Sequence, residues 1–394
     1  MNSTKRNVAL LAACQALLFT NNSTLIAING LAGLALAPYV GLATLPVTCW
    51  VLGGAIGTMP ASLHMKRVGR QRGLTSGTAW GIVGALLCAG AIWAQSFWML
   101  CFGTLIFGVY NAYGQYYRFA AADVASVDFR ATAISLVLAG GLVGGILGPT
   151  SSRWTVQLLT PKFMAAYLVL IGFALATMFL LRFIRIPTPS AAEQSASGRP
   201  LRQIAAQPKF IVAVAAGAIG YGVMNFLMTS TPIAMQVCGH PYGDAAFVIS
   251  SHIIGMFAPS FVTGPLIRRM GVLPVMFAGA ALNFAAIGIA LSGIAVAHFW
   301  WSLVILGVGW NFLYLGGTML LTETYRPEER ARAQGTNEQA IFIMMAISSL
   351  TSGLTVTTAG WERVNLFALP LVATIAIAIV WFALRERARK AAAA

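Results

Sequence analysis

The chain has 394 residues, of which 58% are hydrophobic and only 9% are charged. Soluble globular proteins carry about 25% charged residues, so water is excluded as the main solvent. The formal charge of +15 does not point to nucleic acid, because these bases lie in short loops and not on a basic face of a soluble domain.

The N-terminus, MNSTKRNVALLAACQALLFTNNSTLIA, begins basic and turns apolar. The run is too long for a signal peptide and has no convincing cleavage site, so it reads as the first membrane helix. One apolar run of about 20 residues spans a bilayer. The predicted spans are 8–31, 42–63, 73–94, 97–117, 131–150, 163–184, 210–236, 244–267, 273–294, 299–321, 334–357 and 364–384. The one long polar break contains IPTPSAAEQSASGRPLRQIAAQP, whose Pro, Ser, Gln and Gly mark a linker. The expected organisation is an N-terminal six-helix bundle over 1–184, a cytoplasmic linker over 185–209 and a C-terminal six-helix bundle over 210–394.

Lys and Arg orient the chain, because positively charged loops stay cytoplasmic. Loops on the side of the N-terminus hold 22 of the 25, and the other side holds only Arg153, Lys162 and Arg363. Both termini and the linker are therefore expected in the cytoplasm. The five cysteines, Cys14, Cys49, Cys88, Cys101 and Cys238, show neither CxxC spacing nor a dense framework, and read as apolar filler.

An internal repeat divides the chain. Lys66-Arg67-Val68-Gly69 after the second span returns as Arg268-Arg269-Met270-Gly271 after the eighth, 202 residues later. Arg130-Ala131-Thr132-Ala133 returns as Arg330-Ala331-Arg332-Ala333, and Tyr110-Asn111 as Trp310-Asn311, both at an offset of 200. With these repeats the chain resembles the major facilitator superfamily over essentially its full length. The resemblance implies an all-α polytopic fold of twelve helices in two six-helix pseudo-repeat halves that rock about a midplane site. The family's loop signature, Gly-x-x-x-Asp-Arg-x-Gly-Arg, is matched by Arg67, Gly69 and Arg70 in the first half and by Gly264, Arg269 and Gly271 in the second. These are the expected conformational loops. The family's acidic position is Lys66 or Arg268 here, which breaks the usual charge relay. Gly144 and Gly148-Pro149 resemble the family's Gly-x-x-x-Gly-Pro element, which also means close helix packing.

Polar side chains at bilayer depth are costly and so mark a candidate pathway. In the seventh span Met224 and Met228 share a helix face with Asn225 beside them, and in the eighth His252 and Met256 are likewise four apart. Thioether and imidazole are soft ligands for Cu(I). Methionine also fills apolar gaps. Spans four and ten carry Tyr110, Asn111, Gln115, Trp310 and Asn311, an aromatic and amide set suited to a flat, neutral, hydrogen-bonding ring system. Tyr116, Tyr117 and Phe119 read as an aromatic belt at the membrane surface. Gln15, Asn21, Asn22 and Asn29 in the first span are further candidates whose faces the sequence does not give.

No Asp or Glu falls at the centre of a span, which disfavours a cationic cargo held by a carboxylate; Glu338 lies at the start of the eleventh. Proton coupling would lean on His252 or on a carboxylate near a helix end. The Met224/Met228 and His252/Met256 pairs look like those of the CcoA-like branch of the superfamily. That branch holds copper importers serving cytochrome oxidase assembly and riboflavin importers of the RfnT type. The expected function is import of a small solute, riboflavin, across the bacterial inner membrane, by a monomer with no cofactor and no nucleic-acid partner. The alternatives are copper import, with Met224, Met228, His252 and Met256 as ligands and Cys49 or Cys238 as thiols, and export of drugs or metabolites. A receptor or enzyme is disfavoured, since no nucleotide loop, hydrolase cluster or nucleophile motif appears.

Overall fold

The computed structural model describes residues 3–39, 42–186 and 198–391, so residues 187–197 of the predicted linker lie outside the described residues. The described chain is helical throughout. The first helices are α1 (Ser3–Leu36), α2 (Leu45–Val68), α3 (Arg70–Trp93), α4 (Phe97–Gly114), a short α5 (Tyr117–Val124), α6 (Val127–Thr155) and α7 (Met164–Leu181). After the short α8 (Leu201–Ala205) come α9 (Pro208–Val237), α10 (Tyr242–Phe257), α11 (Ser260–Met270), α12 (Val272–Leu291), α13 (Val296–Leu321) and α14 (Arg330–Ala391).

Ten helical stretches among the described residues are long and apolar enough to cross a bilayer. The last of these is broken at Gly360, where φ is 80° and ψ 174°, and so supplies two spans. The remaining predicted span, α2, has the length but carries Thr48, Thr58, Ser62, His64, Lys66 and Arg67. The twelve-helix expectation stands on that basis.

The distribution of side chains is that of a membrane protein turned toward lipid. Leu52, Ile56 and Leu63 of α2 and Trp80, Val83 and Leu86 of α3 are exposed, whereas Asn21, Asn22, Asn29, Asn111, His252, Asn283 and Asn311 are buried. Lipid tails are as apolar as leucine, so apolar burial does not drive these helices together; close packing and internal hydrogen bonds do. Gly140, Gly144 and Gly148 put α6 directly against α1, where a Cβ at any of the three would collide with the α1 backbone or with Phe19 or Ser23. Thr24 Oγ1 donates to the Gly148 carbonyl across this contact at 3.0 Å. The Gly-Pro element is thus used for packing.

By proximity the chain forms two compact units, Met1–Ala196 with Arg330–Phe342, and Ser197–Glu329 with Ile343–Ala394. The opening of α14 groups with the first unit because its side chains bond there. Ser62 Oγ donates to the Ala331 carbonyl at 2.9 Å, and Phe342 fills the space beside Gly54. In the second unit the linker end is clamped to the loop before α14. Arg199 donates through its backbone N–H and Nε to Glu329 Oε1, at 2.9 and 2.7 Å, and through Nη2 to Oε2 at 2.7 Å. These bonds hold the Glu329 carboxyl below the usual carboxylate range, at about 2.

The repeat is visible in the backbone. Gly69 has φ 89° and ψ 158°, and Gly271 has φ 88° and ψ 163°. Each closes its helix with an N–H donated four residues back, to Met65 at 3.0 Å and Ile267 at 2.8 Å. This corner of backbone space is open essentially to glycine alone, which is why the loop signature keeps glycine there. Replacing Gly271→Ala is expected to cost about 1–3 kcal/mol, read as a lower thermal unfolding midpoint in detergent. Gly172→Ala, where a Cβ would meet nothing within 4 Å, serves as the control; equal midpoints for the two variants would refute this reading of the turn.

Candidate functional site

In the first unit the candidate polar residues converge. Asn22 Nδ2 donates to Asn111 Oδ1 at 2.8 Å, and Gln115 Nε2 donates to the same oxygen at 3.2 Å. Asn21 Nδ2 reaches Tyr110 Oη at 3.5 Å. The adjacent amides of α1, whose faces the sequence left open, therefore point at α4. Tyr110 is fully buried, with Phe107 edge-on at 5.4 Å. Gln115 is only partly buried. Asn21 Oδ1 and Asn22 Oδ1 are buried acceptors without a partner.

Tyr116, Tyr117 and Phe119 do not form a belt at the membrane surface. All three are at most 1% exposed. The helix turns after Gly114, and α5 carries them into the bundle, where Tyr116 Oη donates to the Thr58 carbonyl at 2.9 Å.

The second unit uses the repeated residues differently. The eighth span is broken between α10 and α11 at Ala258-Pro259, and Asn311 mends the break. Its Nδ2 donates to the Met256 carbonyl at 2.7 Å and to Ser260 Oγ at 2.6 Å, and its Oδ1 accepts from Thr263 Oγ1 at 2.7 Å. Both amide N–H donors are thereby used, as a broken membrane helix requires of its neighbours. Asn225 Nδ2 donates to Ser348 Oγ at 2.9 Å. His252 is fully buried, with Nδ1 at 2.6 Å from the Leu303 carbonyl oxygen and Nε2 without a partner. Met224 and Met256 are buried, and Met228 is partly exposed.

An aromatic cluster surrounds Trp310. Tyr314 stacks on it, centroids 4.8 Å apart and planes 17° apart, while Tyr221 stands edge-on to Trp310 at 5.4 Å and to Tyr314 at 5.6 Å. Phe257 closes a further side at 5.8 Å. Trp310 is 1% exposed, whereas Tyr221 is only partly buried. Sequence reasoning passed over Tyr221. Its signal was the Gly-Tyr-Gly run just before the methionine pair, where a lone aromatic sits between glycines.

Among the described residues no three His, Cys, Asp or Glu side chains stand close enough to hold a metal ion. Cys49 and Cys101 are free thiols in the first unit, and Cys238 ends α9 in the second.

Of the loop residues, Arg67 and Arg269 are exposed, Gly264 is buried, and Arg70 is buried and paired. Arg70 Nε lies 3.0 Å from Asp123 Oδ2, which also takes Arg330 Nη1 at 3.0 Å. Arg70 Nη2 donates to Gln334 Oε1. The anion that the loop signature lacks is thus supplied by the end of α5. Beside it lies a second ion pair, Arg118 Nη2 with Glu338 Oε1, both side chains at most 2% exposed. Glu338 is therefore buried and paired despite its place near a helix start.

Residues 11–318 and 242–394 match the sequence profile described as Major Facilitator Superfamily. The chain is 40% identical over 395 residues to the riboflavin transporter RfnT of Brucella anthropi, covering 99% of this chain and 98% of that protein. It is 29% identical to YddS of Bacillus subtilis, an uncharacterized MFS-type transporter, over 86% of this chain and 82% of that one. The fold is shared with FucP, a Major Facilitator Superfamily transporter crystallised in the outward conformation. The TM-score is 0.79 at 16% identity, covering 96% of this chain and 99% of that chain.

Asp123→Asn keeps the shape but removes the anion between two guanidiniums, one of them on the buried Arg70. Stranding a buried charge costs of order 3 kcal/mol. The variant is expected to unfold at a clearly lower temperature in detergent; an unchanged midpoint would show that Arg70 finds its counter-charge elsewhere.

Proposed function

The chain belongs to the Major Facilitator Superfamily, and on that footing we propose that it imports riboflavin across the bacterial inner membrane by alternating access. The observation that carries this reading is the 40% identity to a riboflavin transporter along essentially the whole of both chains. The side chains fit such a cargo. An isoalloxazine ring is flat and polarizable, and the second unit offers Tyr221 in an aromatic cluster with Trp310 and Tyr314. Met224, Met228, Asn225, His252 and Met256 would add polarizable and polar wall, since sulfur packs well against aromatic rings.

The chain is a multi-pass membrane protein. The inner bacterial membrane and cytoplasmic termini are the placement that the loop charges support, with 22 of 25 Lys and Arg on one side. We take it to act as a monomer, without a nucleic-acid partner.

The test is growth and uptake in a riboflavin auxotroph lacking its own importer. Expression is expected to rescue growth at low vitamin and to raise labelled riboflavin uptake, with or without added copper. Copper accumulation with no riboflavin entry would defeat the assignment. Stacking a heteroaromatic ring on a side chain contributes about 1–3 kcal/mol. Tyr221→Ala should therefore raise the uptake KM about 5- to 150-fold, while Tyr221→Phe keeps it close to the parent value.

A further inference from the structure

The second unit carries a groove on its lipid-facing side, apart from the aromatic cluster around Trp310. It encloses about 290 Å³ and is lined by Ser251, Ile254 and Ala258 of α10 and by Trp300, Val304 and Val308 of α13. The two helices touch beside it, since a Cβ on Gly255 would lie 2.7 Å from the Val304 carbonyl oxygen. Ser251, Ile254 and Ala258 recur at helical spacing on one face of α10. His252 and Met256 turn to the other side and are buried, whereas Ile254 is 48% exposed. The groove therefore opens away from the polar interior. Phe247, Phe261 and Val262 continue the exposed apolar surface around it. Both helices belong to stretches that are long and apolar enough to cross a bilayer, so what covers this face is hydrocarbon.

The dimensions match one hydrocarbon chain. Trp300 lies close to the start of α13 at Val296, at the end of the span opposite the Lys- and Arg-rich loops. From there to Val308 the helix rises about 12 Å, and half of a hydrocarbon core is about 15 Å. The deep end reaches the helix break at Ala258-Pro259. A transmembrane helix of a neighbouring protein, about 10 Å across with its side chains, is too wide for the space. The shallow end holds a hydrogen-bond donor. Trp300 Nε1 is buried and has no partner among the described residues, although a buried indole N–H ordinarily finds one. Phe247 lies parallel to this ring, with planes 4° and centroids 6.3 Å apart, and Trp301 stands against it at 4.5 Å and 71°. None of the six lining side chains carries a charge, so nothing in the groove reads the charge of a headgroup.

We propose that this groove is the seat of one phospholipid from the leaflet away from the charged loops. One acyl chain lies between α10 and α13 down to the break at Ala258-Pro259, and an ester carbonyl of the lipid accepts from Trp300 Nε1. The chain supplies dispersion contacts that the small side chain of Ala258 leaves unmade. It does so beside the break that Asn311 bonds from within the bundle. The seat is independent of what the protein carries.

The experiment uses the full chain reconstituted with a phospholipid whose acyl chain carries a photoactivatable diazirine. After illumination, peptide mapping should find the label concentrated on residues 251–259 and 300–308. Native mass spectrometry of the chain stripped in detergent should show one phospholipid retained per chain. Ala258→Phe fills the groove and should abolish the preferential labelling, while Leu175→Phe, at an exposed position of α7, should leave it unchanged. Trp300→Phe keeps the ring and loses the N–H. By titration of phospholipid into the stripped chain, it should bind about 2- to 10-fold more weakly, the loss of one neutral hydrogen bond, and equally so for zwitterionic and anionic headgroups. This variant carries the test if Ala258→Phe does not fold. Label spread evenly over the lipid-facing helices with no phospholipid retained would overturn the proposal. So would equal phospholipid affinity of Trp300→Phe and the parent, or cross-links between two copies of the chain through this face.

Discussion

A polar group buried in hydrocarbon must find its partner within the protein, because no water is there to replace it. Most of what distinguishes this chain follows from that constraint. Its outer faces are leucine, isoleucine and tryptophan, and its amides, hydroxyls and ion pairs are turned inward. Where a helix breaks, as at Ala258-Pro259, a side chain from α13 supplies the missing bonds. Where a carboxylate is buried, as at Glu338, an arginine faces it. The glycine stripe of α6 serves the same end, since helices that touch backbone to backbone leave little room for unsatisfied groups.

The same constraint explains why two halves of related sequence are not used alike. Asn111 and Asn311 occupy equivalent places in the repeat, yet Asn111 meets the amides of Asn22 in α1 and of Gln115, and Asn311 is spent on holding a helix break together. The loop glycines Gly69 and Gly271, in contrast, share one backbone conformation to within a few degrees. The turns of the two halves match, and their interiors do not.

Spans, loop charges and the repeat were legible because each depends on local composition or on spacing along the chain. Partners were not. The acid that pairs with Arg70 comes from Asp123, 53 residues away, and the loop signature alone made the relay look broken. Tyr116 and Tyr117 read as belt residues because their distance from a span end suits the interface, whereas the turn after Gly114 folds them inside. Glu338 was discounted for lying near a helix start, since depth was judged from position along the span. Tyr221 was overlooked because a single tyrosine between glycines gives no periodic signal. In each case a contact of long sequence separation decided the outcome.

The proposed import of riboflavin requires aromatic faces that hold a flavin ring. It is tested most directly by titrating riboflavin into the purified chain and following quenching of the flavin's own fluorescence. Saturable quenching that added Cu(I) leaves unchanged is the predicted result. Stoichiometric Cu(I) binding with no flavin quenching would contradict the account.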